Sequence, residues 1–371
     1  MAGWLERGLF KIEDLYDEMR LGARSILGTS RLPVIRPYIG HANDHTLYLR
    51  GRVLLSDRIQ APTEDDSTWR NFRNTYYRFN SSEIPRAKVT ATLQGHMQEA
   101  VCDEEGFFRF ELTPQAGVPT DSFWCEVQLA VADTPIRGLS TEQTETSGLA
   151  IVPSAEAHFG VISDLDDTIM RTEVLNTFKM LRNTFLENAY TRFAFAGAST
   201  FYRALQAGTA GPWNPIFYVS SSPWNLYGAI QDFFKIKNIP AGPLYLRDLG
   251  ISRRTFRGNG HMGHKLSFIE QIFDRHPYLP FILIGDSGQK DANIYHEVAR
   301  RYPDRVLAIY IRDVEVLSRA TYVEEIALQV KQETGVDMLL FQNTAGAAEH
   351  AADRGYIAPE ALQAVRERVN A

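Results

Sequence analysis

The chain has 371 residues, of which 44% are hydrophobic and 23% charged, and this composition excludes a disordered or collagen-like chain. Its 39 basic and 45 acidic side chains give a formal net charge of −6, which argues against a general nucleic-acid-binding protein, because such proteins carry a basic surface. The length predicts two or three domains. Two cysteines, Cys102 and Cys125, are too few for a disulfide framework, so we expect two buried thiols in a reducing compartment.

The N-terminal residues predict an amphipathic helix, because residues 3–27 carry apolar side chains at helical spacing. Together with the proline-containing stretch that follows, this helix makes up a first segment, residues 1–38. Its acidic and basic side chains are nearly balanced, which favours docking on the protein itself over docking on a membrane surface. No signal peptide and no apolar run of about 18–20 residues is found, so we expect a cytoplasmic protein with no transmembrane segment.

Short runs of alternating apolar and polar residues dominate the next part of the chain. The runs TLYLRGRVLL, AKVTATLQG, GFFRFELTP and SFWCEVQLAV predict an antiparallel β-sandwich-like domain over residues 39–150, with the polar stretch RGLSTEQTETSG as a linker. The segment TWRNFRNTYYRFNSSEIPRAK interleaves basic and aromatic residues. It either rests on anionic lipid headgroups or forms an ordinary strand and loop, so peripheral contact with a membrane stays open.

From about residue 157 the pattern changes to strand followed by helix. The runs HFGVISDL, PIFYVSSS, PFILIGDS and VLAIYIRD are nearly continuous apolar stretches, as in parallel strands that are buried on both faces. Helical segments lie between them. We therefore predict a doubly wound α/β domain over residues 151–335. Residues 336–371 are predicted to form a helical tail, in which Pro359 stands in the first turn of the last helix.

In a doubly wound sheet the ligand binds beyond the carboxyl ends of the strands. The first of these strands ends in Asp164-Leu165-Asp166-Asp167-Thr168, where alternation puts Asp164 and Asp166 on one side of the chain. Two close carboxylates require a cation or a shared proton, and an oxygen-rich site suits Mg²⁺. One carboxylate can attack phosphorus, and the other can protonate the leaving alcohol and then activate water. The alternative is that these residues only cap the next helix.

Three further loops carry polar residues at strand or helix ends. Ser220 and Ser221 follow a buried strand and can donate to a phosphoryl oxygen or cap a helix. The stretch ISRRTFRGNGHMGHK has four cations and no acid, so Lys265 can neutralise a phosphoryl group, unless the loop is simply solvated. Asp286 follows another strand and is a third carboxylate for a metal. Asp291 can hold Lys265 or the waters of the metal, or favour the start of the next helix.

The order Asp-x-Asp-x-Thr, Ser, Lys and Gly-Asp-x-x-x-x-Asp resembles the haloacid dehalogenase superfamily of phosphohydrolases over about residues 157–315. The resemblance implies a nucleophile at Asp164 and a general acid and base at Asp166. It also implies phosphate binding by Ser220 and Lys265, with Lys265 counted among the catalytic residues.

The same resemblance implies a Mg²⁺ ion on Asp164, Asp286 and the main-chain carbonyl of Asp166, with Asp291 in support. Thr168, Ser221 and Arg171 complete the predicted substrate-binding residues, and Arg171 is expected at the entrance to the site.

A narrower resemblance lies in the strings GVISDLDDTI, FYVSSSPWNLY and LIGDSGQKDANIYHEVARRYPDRV, which are similar to the actin-patch type phosphatidate phosphatases and their bacterial relatives. It implies a Mg²⁺-dependent enzyme that converts phosphatidate to diacylglycerol through an aspartyl-phosphate, with a phospholipid as substrate and no identified protein partner. Two alternatives remain open. One is a soluble phosphatase of small phosphomonoesters, such as sugar phosphates or nucleotides, and the other is a non-catalytic binding protein.

Overall fold

The computed structural model describes residues 32–56, 82–142, 144–165, 168–169, 195–209, 213–247, 261–314 and 317–370. The predicted N-terminal helix and most of the basic aromatic segment lie outside these residues, as do Asp166 and Arg171. Within the described ranges the strands form two sheets, of nine and six strands. In the same ranges, no helix is both long and apolar enough to cross a membrane.

The nine-stranded sheet occupies the first half of the chain, and its strands run in the order β1-β3-β2-β9-β8-β5-β6, with β4 and β7 also paired to β3. All pairs are antiparallel except β2 with β9. The strands are β1 (Leu32–Pro37), β2 (Gly40–Ala42), β3 (Leu47–Ser56), β4 (Ser82–Glu83), β5 (Lys88–Leu93), β6 (His96–Val101), β7 (Phe107–Leu112), β8 (Trp124–Asp133) and β9 (Thr146–Ile151).

The predicted antiparallel sheet is confirmed, because the four predicted runs form β3, β5, β7 and β8. Alternation decides which side chains face inward: in β8, Val127 and Leu129 are buried, whereas Glu126 and Gln128 are exposed. Most of the buried side chains of these four strands join in one hydrophobic core. Backbone hydrogen bonds connect all nine strands in a single sheet.

Strand β1 lies in the proline-containing stretch after the predicted N-terminal helix, and strand β9 lies at the end of the predicted linker. β1 contains Pro33 and Pro37, which disfavour regular structure, yet it lies at the edge of the sheet, where a missing N–H breaks no second ladder of hydrogen bonds. β9 includes the last residues of the predicted linker. Because it begins with polar residues and contains Gly148, its sequence lacks the alternating apolar pattern that predicts a strand. The nine-stranded sheet therefore extends from residue 32 to residue 151.

The six-stranded sheet is entirely parallel and is accompanied by seven helices in the described part of the chain. Its strands are β10 (Gly160–Asp164), β11 (Ile216–Pro223), β12 (Leu244–Arg247), β13 (Phe281–Asp286), β14 (Val306–Arg312) and β15 (Asp337–Phe341). The helices are α1 (Ala198–Ala207), α2 (Tyr227–Lys237), α3 (His261–Arg275), α4 (Asp291–Arg301), α5 (Leu317–Thr334), α6 (Thr344–Asp353) and α7 (Pro359–Asn370). The predicted α/β class with a parallel sheet is confirmed.

Helices cover both faces of this sheet. Alternate residues of each strand face opposite sides, so Val161 of β10 joins the core beneath α1, α2, α6 and α7, whereas Ile162 joins the core beneath α3, α4 and α5. This explains the nearly continuous apolar runs in the sequence. The strands run in the order β12-β11-β10-β13-β14-β15, as in doubly wound folds, and the order reverses between β10 and β13.

The C-terminal residues differ from the predicted helical tail. Residues 336–371 begin with β15, which pairs in parallel with β14 at the edge of the sheet, and only then form α6 and α7. A strand of five residues at an edge carries little periodic signal. It is delimited by Gly335, whose φ of 73° suits glycine, and by Asn343, whose side chain accepts hydrogen bonds from the first N–H groups of α6.

Candidate active site

Two carboxylates meet at the point where the strand order reverses. Asp164 is the last residue of β10 and Asp286 the last residue of β13, and both side chains are fully buried. The two strands are neighbours, with Ser163 opposite Ile284 in the pairing. In open α/β sheets, ligands bind in the crevice at this position.

A third carboxylate comes from the start of α4. Asp291 is fully buried, and its Oδ2 atom accepts a hydrogen bond of 3.2 Å from the backbone N–H of Asp286. The residue before Asp286 is a glycine for steric reasons, because a Cβ atom on Gly285 would lie 2.6 Å from the same Oδ2 atom. The Gly-Asp pair of the motif therefore sets the distance between α4 and β13.

One lysine side chain joins these carboxylates. Lys265 projects from α3, is 4% exposed, and places its Nζ atom 2.9 Å from Oδ1 of Asp164 and 2.5 Å from Oδ1 of Asp291. Burial alone lowers the pKa of a lysine, but here the charges of Asp164 and Asp291 outweigh burial and hold the pKa of Lys265 above its ordinary value. The side chain is therefore a cation in the folded protein.

The donor set fits a divalent cation. One carboxylate oxygen from each of Asp164, Asp286 and Asp291 lies within 4.8 Å of the other two. Among the described side chains of this cluster, three carboxylates face one ammonium group, and like charges buried so closely are stabilised by a further cation or by a shared proton. Oxygen donors are those that Mg²⁺ and Ca²⁺ prefer.

The other predicted site residues lie around this cluster. Ser220 and Ser221 stand near the carboxyl end of β11, and Val219 pairs with Asp164, so Ser220 is one residue beyond the carboxylate in register. The Oγ atom of Ser220 accepts a hydrogen bond of 2.9 Å from the N–H of Ser222. Thr168 is buried shortly after β10. Asp166 and Arg171 lie outside the described residues.

The sequence reasoning missed two polar contributions. Gln289 accepts a hydrogen bond of 3.2 Å from Lys265 Nζ, and its backbone N–H donates to Oδ1 of Asp286 at 2.9 Å, so it links the lysine to the carboxylates. Ser163 is buried beside Tyr202, with 2.6 Å between the two hydroxyl oxygens, and donates to the carbonyl of Asp164. The signal for Ser163 was a hydroxyl in an otherwise apolar strand, whereas Gln289 gave none.

The part of the chain that contains these residues is similar to known proteins. Residues 159–313 match the family model "Phosphatidate phosphatase APP1, catalytic domain". A phosphatidate phosphatase APP1 of Saccharomyces cerevisiae is 32% identical over 181 residues, covering 48% of this chain and 30% of that protein. An uncharacterised protein of Schizosaccharomyces pombe is 28% identical over 244 residues, covering 62% of this chain and 38% of that protein.

The chain thus spans about a third of the length of the curated relatives that it matches. Among solved structures, a carbohydrate acetylesterase of Xanthomonas citri covers 91% of this chain and 74% of its own, at 9% identity and a TM-score of 0.33, which is too low to support any structural argument. The predicted resemblance to the actin-patch type phosphatidate phosphatases is confirmed. Residues 159–313 are therefore similar to the catalytic domain of the phosphatidate phosphatase APP1 family.

Proposed function

We propose that this chain is a Mg²⁺-dependent phosphatase that hydrolyses the phosphomonoester of a lipid, converting phosphatidate to diacylglycerol. The observation that carries the proposal is the contact of Lys265 Nζ with both Asp164 and Asp291, beside Asp286, within a domain of a phosphatidate phosphatase family. A haloacid dehalogenase-like fold for this domain, a sandwich-like fold for the preceding one and the predicted division into four segments belong to the same proposal.

The reaction starts with attack of the Asp164 carboxylate on phosphorus, which forms an aspartyl-phosphate and breaks the bond from phosphorus to the lipid oxygen. Asp166 donates the proton that the leaving alcohol requires. It then takes a proton from a water molecule, which attacks the phosphorus and releases inorganic phosphate and the free Asp164 carboxylate. Both residues are regenerated, so the cycle is balanced.

Lys265 neutralises the charge of the phosphoryl group in this scheme. Its ammonium lies 2.9 Å from the nucleophilic carboxylate and is fixed by Asp291 and Gln289, so it needs no rearrangement to meet charge that develops at the attacked group. Hydroxyl groups of Thr168, Ser220 and Ser221 donate hydrogen bonds to phosphoryl oxygens.

Mg²⁺ would be held by Asp164, Asp286 and Asp291 together with the carbonyl of Asp166, and it would supply a Lewis acid that withdraws charge from the phosphoryl oxygens. Arg171 completes the substrate side at the entrance. Because the proposed substrate resides in a bilayer, we also propose a cytoplasmic protein in peripheral contact with a membrane.

Phosphate release from phosphatidate dispersed in detergent micelles, with and without Mg²⁺, tests the function. We expect release by the wild type with Mg²⁺ and none by Asp164→Asn. Asp304→Asn is the matched control: Asp304 is exposed and has a φ of 62°, which asparagine tolerates, so this variant should act as the wild type. Release from a small aryl phosphate only would reject the lipid substrate but keep the phosphatase. Release from neither would reject the phosphatase.

A further inference from the structure

The segment that carries Ser220 and Ser221 continues into Trp224, whose side chain is 6% exposed. After β11 ends at Pro223, residues Trp224–Leu226 form a single 3-10 turn that leads into α2. The pairing of β11 with β12 shifts register between Val219 and Pro223 and resumes only where Pro223 pairs with Arg247, so the ladder is interrupted along this stretch. The contacts of Trp224 therefore add to what holds it.

Side chains of β3, of β7 and of the connection between β1 and β2 pack against the Trp224 ring. Tyr38 stacks on it with 4.6 Å between ring centroids and 17° between ring planes. The guanidinium of Arg50 lies 4.4 Å from the centroid of the Trp224 ring and 4.5 Å from the centroid of the Phe107 ring. Phe107 itself meets Trp224 edge-on at 6.3 Å. A cation enclosed between two aromatic faces is a directional contact that resists displacement of either ring.

A second contact reaches the start of α2. The ring of Tyr227 lies 4.2 Å from that of Tyr38, and its hydroxyl accepts a hydrogen bond of 2.9 Å from the backbone N–H of Ile39. The backbone N–H of Tyr38 in turn donates to the carbonyl of Arg50 at 2.8 Å. The first residue of the 3-10 turn and the residue that follows the turn are thus attached to one corner of the first sheet.

We infer that Tyr38 and Arg50 are positioning residues of the active site: by enclosing Trp224 they hold the Ser220–Ser222 segment where its hydroxyl and N–H groups meet the phosphoryl group. The inference gives the nine-stranded sheet a role in the chemistry, and it rests on the proposed function for its catalytic consequence. A displacement of about 1 Å in a binding group costs up to about 100-fold in rate, so such bracing has a measurable effect.

Hydrogen exchange of peptides that cover residues 219–227, followed by mass spectrometry, tests the bracing without any turnover. We expect faster exchange there in Arg50→Met and in Tyr38→Leu, and partial recovery in Arg50→Lys, which keeps the cation. Arg52→Met is the matched control, because Arg52 lies on the same strand and 4.5 Å from the Phe107 centroid but is ion-paired with Glu83. Unchanged exchange in both test variants, or equal acceleration in the control, would overturn the inference.

Kinetics with phosphatidate and competitive inhibition by inorganic phosphate test the consequence. In Arg50→Met we expect kcat/KM to fall about 10- to 100-fold and the inhibition constant of phosphate to rise, whereas Arg52→Met changes neither. If kcat/KM fell in Arg50→Met and in Arg52→Met in proportion to the thermal stability that each loses, Arg50 would have only a structural role. That result would overturn the inference. A wild type without phosphatase activity whose exchange pattern still responds to Arg50→Met would reject the proposed function and leave the bracing intact.

Discussion

At the scale of single residues, Lys265 decides the stability of the site. It is buried between Asp164 and Asp291, so Lys265→Met leaves two carboxylates facing each other without their cation. Breaking a buried ion pair by removing one partner costs about 3–5 kcal/mol, and we expect the free energy of unfolding to fall by about this amount at neutral pH without divalent ions. Urea unfolding measures it.

Lys290→Met is the control for this prediction, because Lys290 lies just before α4 and is exposed. It should change the free energy of unfolding by less than about 0.5 kcal/mol. A second replacement, Asp291→Asn, should return part of the stability lost in Lys265→Met, because it removes one of the two opposed charges. Equal stability of Lys265→Met and the wild type would refute the prediction.

The carboxylate cluster also predicts stabilisation by metal. A ligand that binds the folded state at 100 times its Kd adds about 2.7 kcal/mol, so saturating Mg²⁺ should raise the melting temperature of the wild type. Asp286→Asn removes one of the three clustered carboxylates and should abolish most of this shift. Differential scanning fluorimetry with and without EDTA checks it, again with Asp304→Asn as the control. A shift of the same size in Asp286→Asn would exclude Asp286 from the metal site.

The residues of the carboxylate and lysine cluster could be predicted because each stands at the end of an apolar run or at a helix start, where the chain changes from core to solvent. The sequence did not predict which side chains of the cluster contact one another. Lys265 meets Asp164 across two elements that are distant in the chain, and Gln289 contributes through a backbone N–H as much as through its side chain. Such contacts depend on the packing of α3 against the sheet.

At the scale of elements, two histidines join β2 to the end of α3. Nδ1 of His41 lies 2.9 Å from Nε2 of His276, and the hydroxyl of Tyr245 lies 2.8 Å from Nε2 of His41. Burial, then the charges of His276 and Arg275, lowers the pKa of His41 well below its ordinary value. Burial, then Arg275 and Arg305, lowers the pKa of His276 to about 3. Both rings are therefore neutral in the folded protein.

This pair predicts a loss of stability in acid. Because the unfolded chain takes up these protons first, near pH 6.5, the contribution is complete above that pH and falls as the pH drops from 6.5 toward 3. Each histidine costs at most about 1.4 kcal/mol per pH unit. We expect the free energy of unfolding of His276→Gln to depend less steeply on pH between 6.5 and 5 than that of the wild type. His45→Gln, at an exposed position, should keep the wild-type slope, and parallel curves for all three proteins would contradict the assignment.

The element boundaries show where periodicity is informative and where it is not. The strands buried on both faces, such as β10 and β13, could be predicted from composition alone, because most positions before the terminal Asp are apolar. The edge strands β1 and β15 could not: one contains two prolines and the other has five residues, so neither carries a clear period. They form strands because their backbones pair with the neighbouring strands β3 and β14.

At the scale of the whole molecule, the two sheets share their hydrophobic cores. Tyr38 and Phe107 of the first part bury their side chains in the core on one face of the parallel sheet, and Ile151 lies in the core on the other face. Polar contacts cross the same boundary, since Nδ2 of Asn43 donates to the carbonyl of Arg275 at 2.9 Å. Neither sheet can lose its structure without exposing apolar surface of the other.

This sharing predicts a single cooperative unfolding transition for a chain whose length suggests several domains. Separate domains with small polar interfaces unfold independently, whereas continuous cores couple them. Calorimetry should therefore give one endotherm with a calorimetric enthalpy close to the van't Hoff enthalpy. Phe107→Ala leaves a cavity in the shared core and should lower the free energy of unfolding by about 3–5 kcal/mol while the transition stays single. Two separate endotherms in the wild type would show that the sheets are stable independently, and the bracing of Trp224 would then have to act between units that move apart.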